Sequence, residues 1–198
     1  YDHIPKQTVL KKSEAKVVRL NIRKAGNFIG YIKGAGDLIP ESLKQIGYSV
    51  VMINPEDITT EHLKKFDAIV LGIRAYNTLP ILKYKQKFLL EYVKNGGNMV
   101  VQYNTSRRVD VAAPFKLNLS RDRVTDENAE VEILEKSHAV MNFPNKISEQ
   151  DFNGWVQERG LYFQNYGSLE YIQFLPINEK GEKPKKGSLL LPKNGNGT

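Results

Sequence analysis

Residues 28–53 of the chain read FIGYIKGAGDLIPESLKQIGYSVVMI, and this stretch decides the fold. It opens with a short apolar run, Phe28–Ile32, and continues through glycines into a helical pattern. Pro40 suits the first turn of that helix, and Gly47 is placed to end it. The β-branched run over residues 48–53 then predicts a second buried strand. Strand, helix and strand in this order indicate a βαβ unit.

The same alternation continues to residue 103. Residues 68–73 predict a third buried strand, residues 80–94 a longer helix, and residues 99–103 a fourth strand. Strands that are apolar throughout, instead of alternating, indicate a parallel sheet covered on both faces. Right-handed crossovers then place helices on both sides. The predicted fold class is therefore α/β, a flavodoxin-like open parallel sheet with helices on both faces and a less regular C-terminal part.

The flanking regions give expectations about domain organisation. Residues 1–14 are polar and irregular, and we interpret them as a linker from a preceding domain. Residues 15–22 alternate between two faces, which predicts a half-buried strand. We expect residues 15–198 to form one α/β domain. Residues 194–197, Asn-Gly-Asn-Gly, are a hairpin-turn signal with no strand after them, so this domain is expected to be truncated at its C-terminus.

Composition excludes several kinds of chemistry. The chain has no cysteine, which removes disulfides, Cys-ligated zinc and a cysteine nucleophile together. Its three histidines, His3, His62 and His138, are far apart, so no metal site is expected. The net charge is +7, but no module with grouped basic and stacking aromatic residues is visible, so no nucleic-acid partner is expected. No apolar run approaches the roughly 20 residues that span a bilayer, and no membrane partner is expected.

Polar residues follow three predicted strands, where ligands bind in open parallel sheets. The first loop ends in Asp37 and offers glycine N–H groups, although a plain tight turn explains it better. The second holds Arg74, Tyr76 and Asn77 directly after a buried strand; the alternative is that Arg74 only pairs with a carboxylate. The third begins at Asn104 and offers amides and hydroxyls without a general base.

Two later segments are also dense in polar groups. One contains Arg123 and Asp126, and the other places Trp155 beside Glu158 and Arg159. An aromatic ring with such neighbours suits stacking on a sugar, but a buried ion-pair network under an aromatic lid is the favoured interpretation. No catalytic residue is assigned. The candidate ligand-binding residues are Asp37, Arg74, Tyr76, Asn77, Asn104, Arg123, Asp126, Trp155, Glu158 and Arg159.

From its first residues, YDHIPKQT, the chain resembles the C-terminal region of large bacterial PIG-L (LmbE-like) deacetylases. That region looks like a class I glutamine amidotransferase-like domain, akin to ThuA-type domains. The segments that carry the resemblance are IGYI at 29–32, GAGD at 34–37, GIRAYN at 72–77, YVKNGG at 92–97, VQYNT at 101–105, SRDRVTDEN at 120–128 and GWVQERGLYF at 154–163.

The resemblance implies a parent enzyme whose N-terminal domain is a zinc-dependent de-N-acetylase of amino sugars. Zinc is expected only in that missing domain, and no cofactor is expected in this chain. The fold relatives use a Cys nucleophile after a central strand, whereas residues 72–74 and 103–105 contain none, so glutaminase activity is not expected. The resemblance favours a periplasmic or extracellular location.

Three hypotheses follow. The first is a non-catalytic module that binds carbohydrate or assists substrate access for its own N-terminal deacetylase domain. The second is a purely structural or homo-oligomerisation domain, in which the same polar residues form internal ion pairs. The third is a sugar hydrolase or isomerase that uses Asp126 or Glu158 as its base, which would require a raised carboxyl pKa in a pocket.

Overall fold

The centre of the fold is a parallel four-stranded sheet. A computed structural model describes residues 3–5, 7–15, 17–19, 21–106, 113–154, 160–164 and 170–192. The strand order is β2-β1-β3-β4, and each neighbouring pair is parallel. The four strands are β1 (Phe28–Ile32), β2 (Ser49–Met52), β3 (Ala68–Leu71) and β4 (Asn98–Val101). This arrangement confirms the predicted fold class.

Helices connect the strands, and their ends follow the sequence signals. They are α1 (Ile39–Gln45), α2 (Thr60–Leu63), α3 (Ala75–Thr78) and α4 (Leu82–Lys94). Pro40 lies in the first turn of α1, and Gly47 follows that helix with a φ of 95°, a conformation that glycine adopts without strain. The hydroxyl of Thr59 accepts the His62 N–H at 3.2 Å and caps α2.

Both faces of the sheet carry an apolar core. One face packs Ile32, Ile69 and Leu71 against buried residues of α2 and α4, including Leu63 and Leu89. On the other face, Ile29, Tyr31 and Val70 pack with the α1 residue Leu43. Alternate residues of β1 and β3 therefore enter opposite cores, as the period of a strand requires.

Three sequence expectations differ from the structure. The described part of residues 15–22 forms no strand, because it pairs with no neighbouring backbone; Val17 is 91% exposed. β2 is not buried, since it is an edge strand and Val51 is 44% exposed. The segment 72–78, predicted as a loop, contains the short helix α3, so the predicted helix over 80–94 is preceded by a separate helical turn.

The rest of the chain is less regular, as predicted, and consists of short antiparallel ladders. Two buried clusters stabilise it, one around Val124 and Phe163 and one around Met141 and Phe174. Residues 194–197 lie outside the described residues. No helix in the described part of the chain is long and apolar enough to cross a membrane. The ladders pair β5 (Arg123–Val124) with β7 (Gly160–Leu161), β6 (Glu130–Val131) with β9 (Ile177–Asn178), and β8 (Tyr171–Gln173) with β10 (Leu190–Pro192).

Candidate functional site

The loops that leave the carboxyl ends of β1, β3 and β4 are joined by backbone hydrogen bonds. The Ala35 N–H donates to the Ile73 carbonyl at 2.7 Å, and the Arg74 N–H donates to the Tyr103 carbonyl at 2.8 Å. Gly34 makes the first contact possible, because a Cβ there would lie 2.1 Å from the Ile73 oxygen. The edge predicted from the sequence is therefore one continuous surface.

Asp37 ties the first loop to the second. Its Oδ2 accepts the Tyr31 hydroxyl at 2.5 Å and the Ile73 N–H at 3.2 Å, and its Oδ1 accepts the Ile39 N–H at 2.9 Å. Desolvation would raise the Asp37 pKa, but the hydrogen bonds from Tyr31, Ile39 and Ile73 outweigh it and hold that pKa below its usual value. Asp37 is thus an ionised structural acceptor and is poorly suited to act as a base.

Tyr31 supplies the buried side of this contact. Its ring is 1% exposed in the core below the loop, and burial, together with the neighbouring Asp37 carboxylate, raises the Tyr31 pKa. The Gln102 side-chain amide donates to the same hydroxyl at 3.3 Å. A Cβ on Gly72 would lie 2.5 Å from that oxygen, so glycine is required there. One buried hydroxyl on β1 therefore connects the loop that follows β1 with the residue that follows β4.

Asn104 and Tyr76 connect the second and third loops from inside. The Asn104 Oδ1 accepts the Tyr76 N–H at 3.2 Å, and its Nδ2 donates to the Gln102 carbonyl at 2.9 Å. Both residues are buried, and the Tyr76 hydroxyl donates to the Gln86 Oε1 on α4. Desolvation raises the Tyr76 pKa. The structure places these two candidates in the framework of the edge and leaves little of either side chain for a ligand.

Asn77 makes a similar connection nearer the surface. Its Oδ1 accepts the Thr105 N–H at 2.8 Å, and its Nδ2 lies 3.4 Å from the Thr105 carbonyl. The side-chain amide thus mimics a strand partner for the backbone of the third loop. Asn77 is half-buried and part of the framework.

Arg74 differs from these residues because it is exposed and has left-handed backbone geometry. It lies between β3 and α3 with φ 58° and ψ 26°, a conformation that costs a residue with a Cβ about 1 kcal/mol. Among the described residues no carboxylate forms an ion pair with its guanidinium. A sharp strand-to-helix turn of this kind is how hydrolases expose a nucleophile. Here it exposes a guanidinium.

Two aromatic residues at this edge were not among the candidates predicted from the sequence. The Tyr103 ring, 45% exposed, lies parallel to the Tyr162 ring, with 6.5 Å between ring centroids and 8° between planes. Tyr162 is the second described non-glycine residue with positive φ, at 58°. These tyrosines stand far apart in the sequence, and neither lies in a pattern that predicts their contact.

The remaining candidates lie in the C-terminal part. Arg123 is on β5, opposite Leu161, and is exposed. Asp126 is in the turn after β5, where its carboxylate accepts the Asn128 N–H at 2.9 Å. Trp155, Glu158 and Arg159 lie outside the described residues.

Two further features of the described residues do not belong to this edge. His138 Nδ1 accepts the Val140 N–H at 3.2 Å and caps a short 3-10 helix, which gives it a structural role. A cavity of about 320 Å³ lies at the opposite edge, beside Asp67 and Gly96, which precede β3 and β4. The Asp67 carboxylate there is already occupied by the N–H groups of Asn27 and Phe28.

The described residues form an α/β domain whose open parallel sheet carries polar loops at the carboxyl ends of three strands, and the chain contains no cysteine. Among solved structures, the chain is similar to a protein from Thermoplasma acidophilum provisionally assigned as one of the subunits of GMP synthase. The TM-score is 0.53 at 11% identity, over 88% of this chain and 82% of that one. At this identity the likeness shows the fold alone. A protein from Bacteroides uniformis provisionally assigned as ThuA-like also aligns, with a TM-score of 0.47 at 16% identity over 87% of this chain and 78% of that one. No protein-family model matches the chain, and neither does any curated protein.

Proposed function

We propose that this chain is a non-catalytic binding module of amidotransferase-like fold that binds carbohydrate at the carboxyl edge of its sheet. In the parent protein it would assist substrate access for a PIG-L-type, zinc-dependent de-N-acetylase of amino sugars on the same polypeptide. The parent's own activity would be hydrolytic and its location periplasmic or extracellular, and zinc would be held by the deacetylase domain. These features of the parent follow from the sequence resemblance.

The observation that carries the binding proposal is the exposure of the Arg74 side chain at the carboxyl edge of the sheet. The strand-to-helix turn exposes its guanidinium without an ion pair to any described carboxylate, and a charge so placed is free to bind a hydroxyl or acyl oxygen of a ligand. In contrast, Asp37 accepts three hydrogen bonds, so the edge offers donors rather than a base. This favours binding over hydrolysis by a carboxylate at this position.

The test is thermal unfolding of the chain with amino sugars, N-acetylated sugars and short glycans. A specific ligand at about 100 times its dissociation constant stabilises the protein by roughly 2.7 kcal/mol. We expect Arg74→Ala and Trp155→Ala to abolish this shift. Arg19→Ala, which removes an exposed arginine from the irregular N-terminal segment, is the matched control and should retain it.

A structural or homo-oligomerisation domain is the second candidate. It is favoured by the number of polar side chains that join loops, Asp37, Asn77 and Asn104 among them. The exposed Val51 and Met52 on the edge strand β2 would then belong to an interface. Light scattering at increasing concentration measures this directly. A dimer that Val51→Lys dissociates, together with no response to any sugar, would favour the second candidate.

A further inference from the structure

The second half of the chain reaches the carboxyl edge through an irregular ladder. Leu119 pairs with Gln164, and Arg123 pairs with Leu161. One strand advances four residues, from Leu119 to Arg123, while the opposite strand advances only three, from Leu161 to Gln164. The ladder therefore contains a bulge. Bulges turn a side chain away from its regular direction and occur often beside functional sites.

Tyr162 lies opposite this bulge. Its backbone has a φ of 58°, and its N–H donates to the Asp122 carbonyl at 3.0 Å. The next residue, Phe163, is buried in the core of the C-terminal part. The left-handed conformation at Tyr162 therefore allows its ring to leave that core and reach Tyr103 at the sheet edge.

Both described non-glycine residues with positive φ meet at Tyr103. The Arg74 N–H donates to the Tyr103 carbonyl, and the Tyr162 ring is parallel to the Tyr103 ring. Unfavourable backbone conformations persist where the surrounding structure holds them, and they concentrate at functional sites. Packing of the core does not require both left-handed residues to contact Tyr103, because 45% of Tyr103 is exposed to solvent.

We propose that the parallel pair of Tyr103 and Tyr162 forms an aromatic platform, on whose exposed face the apolar face of a pyranose ring stacks. This inference rests on the proposed carbohydrate-binding function and names the substrate class, a pyranose whose ring substituents are equatorial. Aromatic faces carry negative charge density and attract the polarised C–H groups of such a ring. The equatorial substituents of a gluco-configured sugar leave those faces free of hydroxyls.

The experiment uses N,N′-diacetylchitobiose as the probe and saturation-transfer NMR on the full chain. Stacking predicts stronger saturation of the ring protons on one face of a sugar unit than on the other. Titration should show affinity falling about tenfold in Tyr103→Ala and in Tyr162→Ala, and staying within about threefold in Tyr103→Phe, which keeps the ring. Tyr84→Ala, at a tyrosine on α4 that is 73% exposed, is the matched control and should bind like the wild type.

The outcomes separate the two proposals. Binding that Arg74→Ala weakens but neither tyrosine variant affects would overturn the platform and leave the carbohydrate module standing. No binding of any saccharide would overturn both. Binding of a nucleoside monophosphate instead of sugars, lost in the tyrosine variants, would overturn the pyranose assignment, since nucleobases also stack on aromatic rings. If an alanine variant fails to fold, the saturation pattern of the wild type decides, and equal saturation of both faces would reject stacking.

Discussion

Asp37→Asn is the substitution that tests most directly how the site is held together. The carboxylate accepts hydrogen bonds from the Tyr31 hydroxyl and from the N–H groups of Ile39 and Ile73. An asparagine has one acceptor oxygen, so its NH₂ group must face at least one of these donors. The two remaining hydrogen bonds would also lose the assistance of a full negative charge.

The expected loss of stability follows from these contacts. A hydrogen bond to a charged group contributes roughly 1.5–3 kcal/mol, and a neutral one about 1 kcal/mol. One lost and two weakened hydrogen bonds would sum to about 3 kcal/mol, which we reduce to about 2 kcal/mol because Asp37 is partly exposed. With a urea m-value of about 2 kcal/mol per molar, the unfolding midpoint should fall by about 1 M.

The pH dependence of this loss of stability provides an independent check of the role of the Asp37 charge. Hydrogen bonding holds the Asp37 pKa below its usual value, so its contribution is present above the unfolded pKa of about 3.9 and is lost as pH falls through the folded pKa. The difference between wild type and Asp37→Asn should therefore shrink on acidification from pH 7 toward pH 3. Asp57→Asn, at an exposed residue, should cost little at either pH. Equal midpoints at pH 7, or a difference that persists unchanged at pH 3, would refute the account.

Three further substitutions test other parts of the framework. Gly34→Ala would place a Cβ 2.1 Å from the Ile73 oxygen and should destabilise the fold by about 2–3 kcal/mol in urea unfolding, whereas Lys33→Ala should be nearly neutral. Asn104→Ala leaves the buried Tyr76 N–H without its acceptor and should cost about 2 kcal/mol, with Asn104→Asp recovering part of it. Gln164→Leu removes a buried amide whose Nε2 and Oε1 have no hydrogen-bond partner among the described residues, so the thermal midpoint should be unchanged or higher; a clear decrease would contradict that assignment.

The strands and helices around the sheet were predictable because each is specified by residues that are neighbours in the sequence. An apolar run such as Ala68–Leu71 predicts a strand, and Pro40 and Gly47 mark the start and the end of a helix. These signals do not depend on the rest of the chain. The prediction of a strand over 15–22 was wrong because alternation of apolar and polar side chains does not by itself provide a neighbouring strand to pair with. The exposure of β2 was missed for a related reason, since edge position depends on strand order.

The candidate site was predicted in position but not in role. Strand ends placed Asp37, Arg74, Asn77 and Asn104 at one edge, and the structure brings them there. Residue types alone could not distinguish the amides that join loops from the guanidinium that faces solvent. The pairing of Tyr103 with a ring from the C-terminal part depends on a bulge and a left-handed residue, neither of which has a local sequence signal here.

Side chains hold the neighbours of residue 74, since Asp37 accepts the Ile73 N–H and Asn104 accepts the Tyr76 N–H. Residue 74 itself is held through its main chain. Its N–H donates to the Tyr103 carbonyl, and its own carbonyl accepts the N–H groups of Asn77 and Thr78 at 2.9 and 3.0 Å. The guanidinium takes no part in these hydrogen bonds. A single codon change could therefore present a thiol, a hydroxyl or a carboxylate at the same point without rebuilding the loops. The backbone at position 74 can thus carry different side chains. Related proteins of this fold could gain or lose a reactive group there while the fold stays constant.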